Sequence, residues 1–201
     1  MPQFQDFFIN QELKETAKEF GWSSESIECS VKIIEADDWG ELKQKINKNR
    51  ESYDILAFRG GDHELNRKAF STPKMDVVLH PEKGRKDSGM NHVDAERAAE
   101  NNVAIGFSLQ QVPETGKRQS QILTKWRKNL KLCEKYDTPY IITTEAEKKS
   151  EIRRPRDLAA VTKSLGSEGN NPVSKYPDEI LKKNLKARKN SSNYSGVGVV
   201  E

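Results

Sequence analysis

Short apolar runs recur along the chain, with amphipathic stretches between them. Phe4–Ile9, Ile27–Glu35, Tyr53–Phe58, Met75–His80, Val103–Leu109 and Pro139–Thr144 carry β-branched or aromatic residues over strand-like lengths and predict six strands. Val77-Val78-Leu79 and Ile141-Ile142 are continuous rather than alternating, as parallel strands covered on both faces require. Helical spacing fills the intervals. Asn10 is placed to cap a helix bearing Leu13, Ala17 and Phe20, with Gly21 as its stop. Over Gln121–Tyr136, Ile122, Trp126, Leu130 and Cys133 share one side. Pro155 suits a first helical turn, Leu158, Val161 and Leu165 keep the period, and Gly166 closes it. A further C-terminal helix is expected around Asp178–Lys189.

Strands alternating with helices predict an α/β fold with a parallel sheet. Six units fall short of a complete eight-stranded barrel of about 250 residues. A small or incomplete barrel of parallel strands with outer helices and an open doubly wound sheet both satisfy the pattern. Either places ligands at the C-terminal ends of the strands. Residues 1–190 read as a single domain. Residues 191–201, rich in Ser and Gly, read as a flexible tail in which Val197–Val200 suits a short strand.

Composition narrows the class. Among 201 residues, 32% are charged, mean hydropathy is −0.87 and net charge is +3. No apolar run is long enough to span a bilayer, and the N-terminus lacks a basic-then-apolar leader. Two cysteines, Cys29 and Cys133, make no disulfide framework. A soluble, cytoplasmic protein with no membrane partner is expected. The small net charge hides a gradient: residues 1–41 hold 3 basic and 10 acidic groups, a net of −7, whereas residues 117–190 hold 19 and 9, a net of +10. The C-terminal half is therefore expected to face a polyanion.

The candidate chemistry lies at the strand ends. Arg59-Gly60-Gly61-Asp62-His63 follows the third predicted strand; its glycines suit a tight turn, but the Lys-Ser/Thr ending of a phosphate loop is missing. The stretch from His80 to His92 after the fourth strand gathers Lys83, Arg85 and Lys86 with two glycines and two histidines, and Arg85 offers a planar fork suited to phosphate. Asp87 is placed to orient an arginine or cap the next helix. A dinuclear metal site would have to be assembled from His80, His92, Asp62 and Asp87, and the first strand lacks the His-x-His of barrel metallohydrolases. Lys125, Lys128, Lys131 and Lys135 form a ridge opposite the apolar stripe of Gln121–Tyr136. Arg153, Arg154 and Arg156 crowd the start of a helix, which the helix dipole disfavours unless an anion sits among them.

These stretches resemble a known family. Tyr53–Asp62 with Asn66-Arg67-Lys68-Ala69, Asp76–Pro81 with Arg85–Val93, and Arg153–Leu158 with Leu165-Gly166 are similar, in order, to the archaeal ribonuclease P protein component 3 family, related to the thirty-kilodalton subunit of the eukaryotic enzyme. The resemblance implies a TIM-barrel-like fold akin to the PHP metallohydrolases but without their metal centre. It implies a non-catalytic subunit of ribonuclease P, which removes the 5′ leader from precursor tRNA. In that enzyme the RNA is the catalyst and holds the Mg2+; the protein binds no cofactor. Expected partners are the ribonuclease P RNA, precursor tRNA through the holoenzyme, protein component 2 and other protein subunits. Carried over to this sequence, Arg67, Arg85, Lys86, His92, Arg153, Arg154 and Arg156 are expected in RNA contact or loop support. Arg118 joins them from its basic surroundings, and Asp87 and Asn91 are expected to hold the loop in shape. The alternative, a PHP-like metal-dependent phosphoesterase, is opposed by the absent His-x-His.

Overall fold

The structure of the protein is a computed structural model, which describes residues 3–113, 115–167 and 171–194. Its elements run α1 (Lys14–Glu19), α2 (Ser24–Glu28), β1 (Val31–Ile34), α3 (Trp39–Asn49), β2 (Ile55–Arg59), α4 (His63–Phe70), β3 (Val77–Leu79), α5 (His92–Asn101), β4 (Ala104–Ser108), α6 (Lys117–Tyr136), β5 (Tyr140–Thr143), α7 (Pro155–Ser164) and α8 (Lys175–Tyr194). All five strands are parallel, in sequence order. The result is a barrel-like α/β sheet with every strand-to-helix loop at one end.

Alternation along each strand divides two apolar layers. Leu56, Phe58, Val78, Ile105, Phe107, Tyr140 and Ile142 pack with Leu42, Phe70, Ala95, Trp126, Leu130 and Leu158 of the outer helices. Ile55, Ala57, Val77, Leu79, Ala104 and Ile141 point the other way and meet Phe7, Phe8, Ile180 and Leu181. The inner layer is thus covered by the N-terminal segment and by α8. At the N-terminal ends of the strands, Asn184 Nδ2 donates to Asp54 O and to Asp76 Oδ1, both at 2.9 Å, and Arg188 pairs with Asp54. Arg50 completes this junction, reaching Asp76 Oδ2 at 2.5 Å and the carbonyls of Tyr53 and Asp54 at 2.9 Å.

Three sequence expectations need correction. Phe4–Ile9 is not a strand: its residues sit in turns and extended coil, and side chains hold it instead of a ladder. Asp6, 2% exposed, accepts from Thr143 Oγ1 (2.5 Å), Phe8 N (3.1 Å), Thr144 N (2.9 Å) and Thr144 Oγ1 (3.0 Å), pinning Phe7-Phe8 against the inner layer. Ile27 opens no strand either, because Ser23 accepts from Glu25 N and starts α2, which leaves Val31–Ile34 as β1. Helix α8 extends to Tyr194, through residues assigned to the tail. Val197–Val200 lies outside the described residues. No helix among the described residues is long and apolar enough to cross a membrane.

Candidate nucleic-acid interface

The loop from His80 to Asn91, after β3, is held by side chains from two helices. Asn66 of α4, wholly buried, donates from Nδ2 to Pro81 O (2.9 Å) and Gly89 O (3.1 Å) and accepts at Oδ1 from Gly61 N (3.1 Å). One amide side chain therefore ties the loops after β2 and β3 together. From α6, Trp126 Nε1 donates to Glu82 Oε1 (2.9 Å), Asn129 Nδ2 to Ser88 O (2.8 Å), and Lys125 to Arg85 O. Gly89 has φ +78°, and a Cβ there would fall 1.9 Å from Pro81 O, so only glycine fits.

Within this frame Arg85 grips Asp87 with both ends of its fork, Nε to Oδ1 at 2.6 Å and Nη2 to Oδ2 at 2.7 Å. Asp87 Oδ1 also accepts from Gly89 N at 2.9 Å. The Arg85 hydrogen bond holds the Asp87 carboxyl well below the usual carboxylate range. Of the two roles expected for Arg85, the geometry gives it loop support, alongside Asp87. Asn91 accepts from Val93 N and Asp94 N while Asp94 accepts from Asn91 N, a reciprocal cap that starts α5.

Beneath the loops lies a cluster that sequence reasoning missed. His80 is 0% exposed and its Nε2 lies 2.6 Å from Glu145 Oε2; Arg59 Nη2 reaches Glu145 Oε1 at 3.1 Å and its Nε reaches Glu35 Oε1 at 3.1 Å. Burial alone pushes the Glu145 carboxyl up. The His80 hydrogen bond and charge, with the Arg59 charge, outweigh it and bring it down to about 2. His80 and Glu145 both have positive φ, 52° and 47°. Left-handed backbone at non-glycine residues persists only where the surroundings over-determine it. Here the pair joins the ends of β3 and β5 and sets where the two loops leave the sheet. His80 alone was visible from sequence, as a metal-ligand candidate; its partner is 65 positions away.

The four residues weighed as metal ligands do not converge. His80 pairs with Glu145, Asp62 caps α4 through Leu65 N, Asp87 holds Arg85, and His92 is exposed at the first turn of α5. Among the described residues no group of three or more His, Cys, Asp or Glu could hold a metal ion.

Of the remaining cations, Arg118, Arg154 and Arg156 stand at helix starts on this same end. Lys86 is exposed on the loop after β3, and Arg118 is exposed in the first turn of α6. Arg154 occupies the cap position of α7 without a capping side-chain bond, Pro155 follows at its first turn, and Arg156 is exposed beside it. Arg153 is exposed but self-anchored, its Nη1 donating to Ser150 O (2.6 Å) and Ile152 O (3.0 Å), while its carbonyl accepts from Trp22 Nε1 (2.9 Å). Arg67 lies on α4, half-exposed, 3.6 Å from Asp94. On α6, Lys128, Lys131 and Lys135 are exposed as expected, whereas Lys125 is drawn into the Arg85 loop. Around the α7 N-terminus Arg154 and Arg156 are exposed with no ion pair among the described residues, a geometry suited to holding phosphate oxygens without reading base sequence.

Known proteins share this sequence pattern and this fold. Residues 31–189 match the family described as RNase P subunit p30. Ribonuclease P protein component 3 of Methanosarcina mazei is 34% identical over 158 residues, 77% of this chain and 65% of that protein. The component 3 of Methanocaldococcus jannaschii is 36% identical over 133 residues, 66% of this chain and 57% of that protein. The chain thus spans about two thirds of the length of such relatives or somewhat less. The Thermococcus kodakarensis component 3 is 31% identical over 192 residues, 81% of this chain and 87% of that protein. A chain in the cryo-EM structure of archaeal ribonuclease P with mature tRNA superposes with a TM-score of 0.65, at 27% identity, over 99% of this chain and 87% of that one.

Proposed function

We propose that this chain, which belongs to the RNase P subunit p30 family, is a non-catalytic protein subunit of ribonuclease P that binds and steadies the enzyme's RNA while the 5′ leader is removed from precursor tRNA. The observation that carries this reading is the α7 start: Arg154 and Arg156 stand exposed, with no ion pair among the described residues, where the helix dipole already favours an anion. Lys86 and Arg118 extend the cationic end, with Arg67 and His92 at its flank. Arg85, Asp87 and Asn91 keep the β3 loop in shape, and Arg153 fixes the loop before α7.

In this reading the RNA carries the catalysis and holds the Mg2+, and the protein lowers the repulsion among its phosphates. Protein component 2 and the other subunits complete the particle, which works in the cytoplasm. The structural relative sits in archaeal ribonuclease P with mature tRNA, which supports the choice of RNA and tRNA as partners. The test is cleavage of precursor tRNA by the cognate ribonuclease P RNA at limiting Mg2+. Four mixtures are compared: RNA alone, with component 2, with this protein, and with both proteins. Cleavage restored only by the pair, and weakened by Arg154→Ala with Arg156→Ala, is the expected result. Cleavage by this protein without the RNA, or no gain over component 2 alone, would overturn the proposal.

A further inference from the structure

We infer that the groove between α4 and α5, on the flank of the barrel, is a second phosphate track, which carries the RNA backbone away from the strand-end loops. The inference rests on the reading of the chain as an RNA-binding subunit and extends it from Arg67, at the flank of the cationic end, to Lys68 and Arg97. Helix α4 buries Leu65, Asn66, Ala69 and Phe70 and turns Glu64, Arg67, Lys68 and Ser71, one helical stripe, outward. Arg97 of α5 faces this stripe, and together these five residues line a groove of about 650 Å³.

Two of the three cations have a neighbour that orients them. Arg67 comes nearest to Asp94 at Nε, 3.6 Å from Oδ1, longer than a hydrogen bond. The Asp94 Oδ1 it approaches is buried and has no hydrogen-bond partner, so it draws the Arg67 guanidinium by charge without a hydrogen bond from it. Lys68, which also lines the groove, has its ammonium 5.7 Å over the Trp39 ring of α3. Arg97 makes no ion pair among the described residues, and Ser71 Oγ donates to Arg67 O at 2.9 Å. The helix dipole explains cations in the last turn of α4 but not Arg97 opposite them. Three cations against the single exposed carboxylate of Glu64 leave a net positive slot, with planar forks suited to bidentate phosphate.

The experiment measures binding of the cognate ribonuclease P RNA across a KCl titration. Arg67→Ala with Arg97→Ala removes two contacts and is expected to flatten the slope of log K against log salt by about 1.4–1.8. That corresponds to roughly 15–30-fold weaker binding near 0.15 M, fading toward 1 M. Lys43→Ala with Lys163→Ala, exposed cations elsewhere, is expected to leave slope and affinity unchanged. Melting temperature reports whether each variant folds. Independently, Ser71→Cys is labelled with an azidophenacyl photoprobe in the reconstituted particle; Cys29 and Cys133 are buried and stay unlabelled. A crosslink to RNA is expected. An unchanged slope in the folded double variant, a crosslink to a protein subunit, or no crosslink overturns the track. Failure of the unaltered protein to bind the RNA at all overturns instead the reading on which it rests.

Discussion

Asn66 offers the sharpest test of how the interface is built. Its side chain is wholly buried and makes three hydrogen bonds that bridge the loops after β2 and β3. Asn66→Ala leaves two carbonyls and one amide N–H without their partner. At about 0.5–1.5 kcal/mol net for each bond, the loss comes to roughly 2–4 kcal/mol. For a chain of this size each kcal/mol lowers the melting temperature by about 2–4 °C, so a fall of about 5–15 °C is expected. Asn66→Asp refines the test. It keeps the acceptor for Gly61 N but turns an oxygen toward Pro81 O and Gly89 O, so it costs at least as much as alanine. Urea unfolding monitored by far-UV circular dichroism measures both. Binding of the ribonuclease P RNA at a temperature where the variants remain folded reads the effect on the loop. A loss under about 1 kcal/mol for alanine, or an aspartate variant more stable than the alanine one, would refute the bridging role.

Two further outcomes follow from the buried groups. Glu145 titrates at about 2 in the folded chain against an ordinary 4.5, so its stabilising pairs are complete above pH 4.5 and are lost as pH falls from there toward 2. Glu145→Gln is expected to be less stable at pH 7 and to lose part of the steep acid dependence in that window, as chemical denaturation at a series of pH values would reveal; an identical acid profile would count against the His80–Glu145–Arg59 cluster. Burial pushes the Cys29 thiol up to about 12 and the Cys133 thiol higher still. Neither is expected to react with a thiol reagent at pH 8 until the chain is unfolded, and prompt modification of the native protein would contradict their placement.

The strands β2 to β5 were legible because each is an apolar run too continuous for a one-faced sheet, and their order follows from the alternation with helices. The first segment misled because Phe7, Phe8 and Ile9 look like a strand, while its true anchor is the carboxylate of Asp6 on Thr143 and Thr144, 137 and 138 positions away. Such a contact leaves no periodicity in the sequence. The start of α2 was written at Ser23 and Glu25, but Ile27 and the residues after it mimic a strand. At the strand-end face, the Pro155 turn placed the α7 arginines at a helix start in advance. The roles within the β3 loop were less visible: Arg85 has the same residue type as Arg154, and only geometry separates an arginine spent on Asp87 from one left open. The His80–Glu145 pair was beyond reach, since a buried histidine and a distant glutamate carry no shared pattern until the ends of β3 and β5 come together.

The path of α8 also sets an order in time. Ile180 and Leu181 cover the same inner layer as Val77 and Leu79, roughly a hundred residues earlier in the chain, and Asn184 reaches back to Asp76. At about 5–20 residues added per second, a newly made β3 waits on the order of 5–20 s for the helix that shields it. Phe7 and Phe8 are made first and are the apolar cover at hand during that interval. A chain cut short before residue 180 therefore has a sheet whose inner face lacks the cover of Ile180 and Leu181 and keeps only that of Phe7 and Phe8, and that half-finished product is the one that cellular quality control would meet.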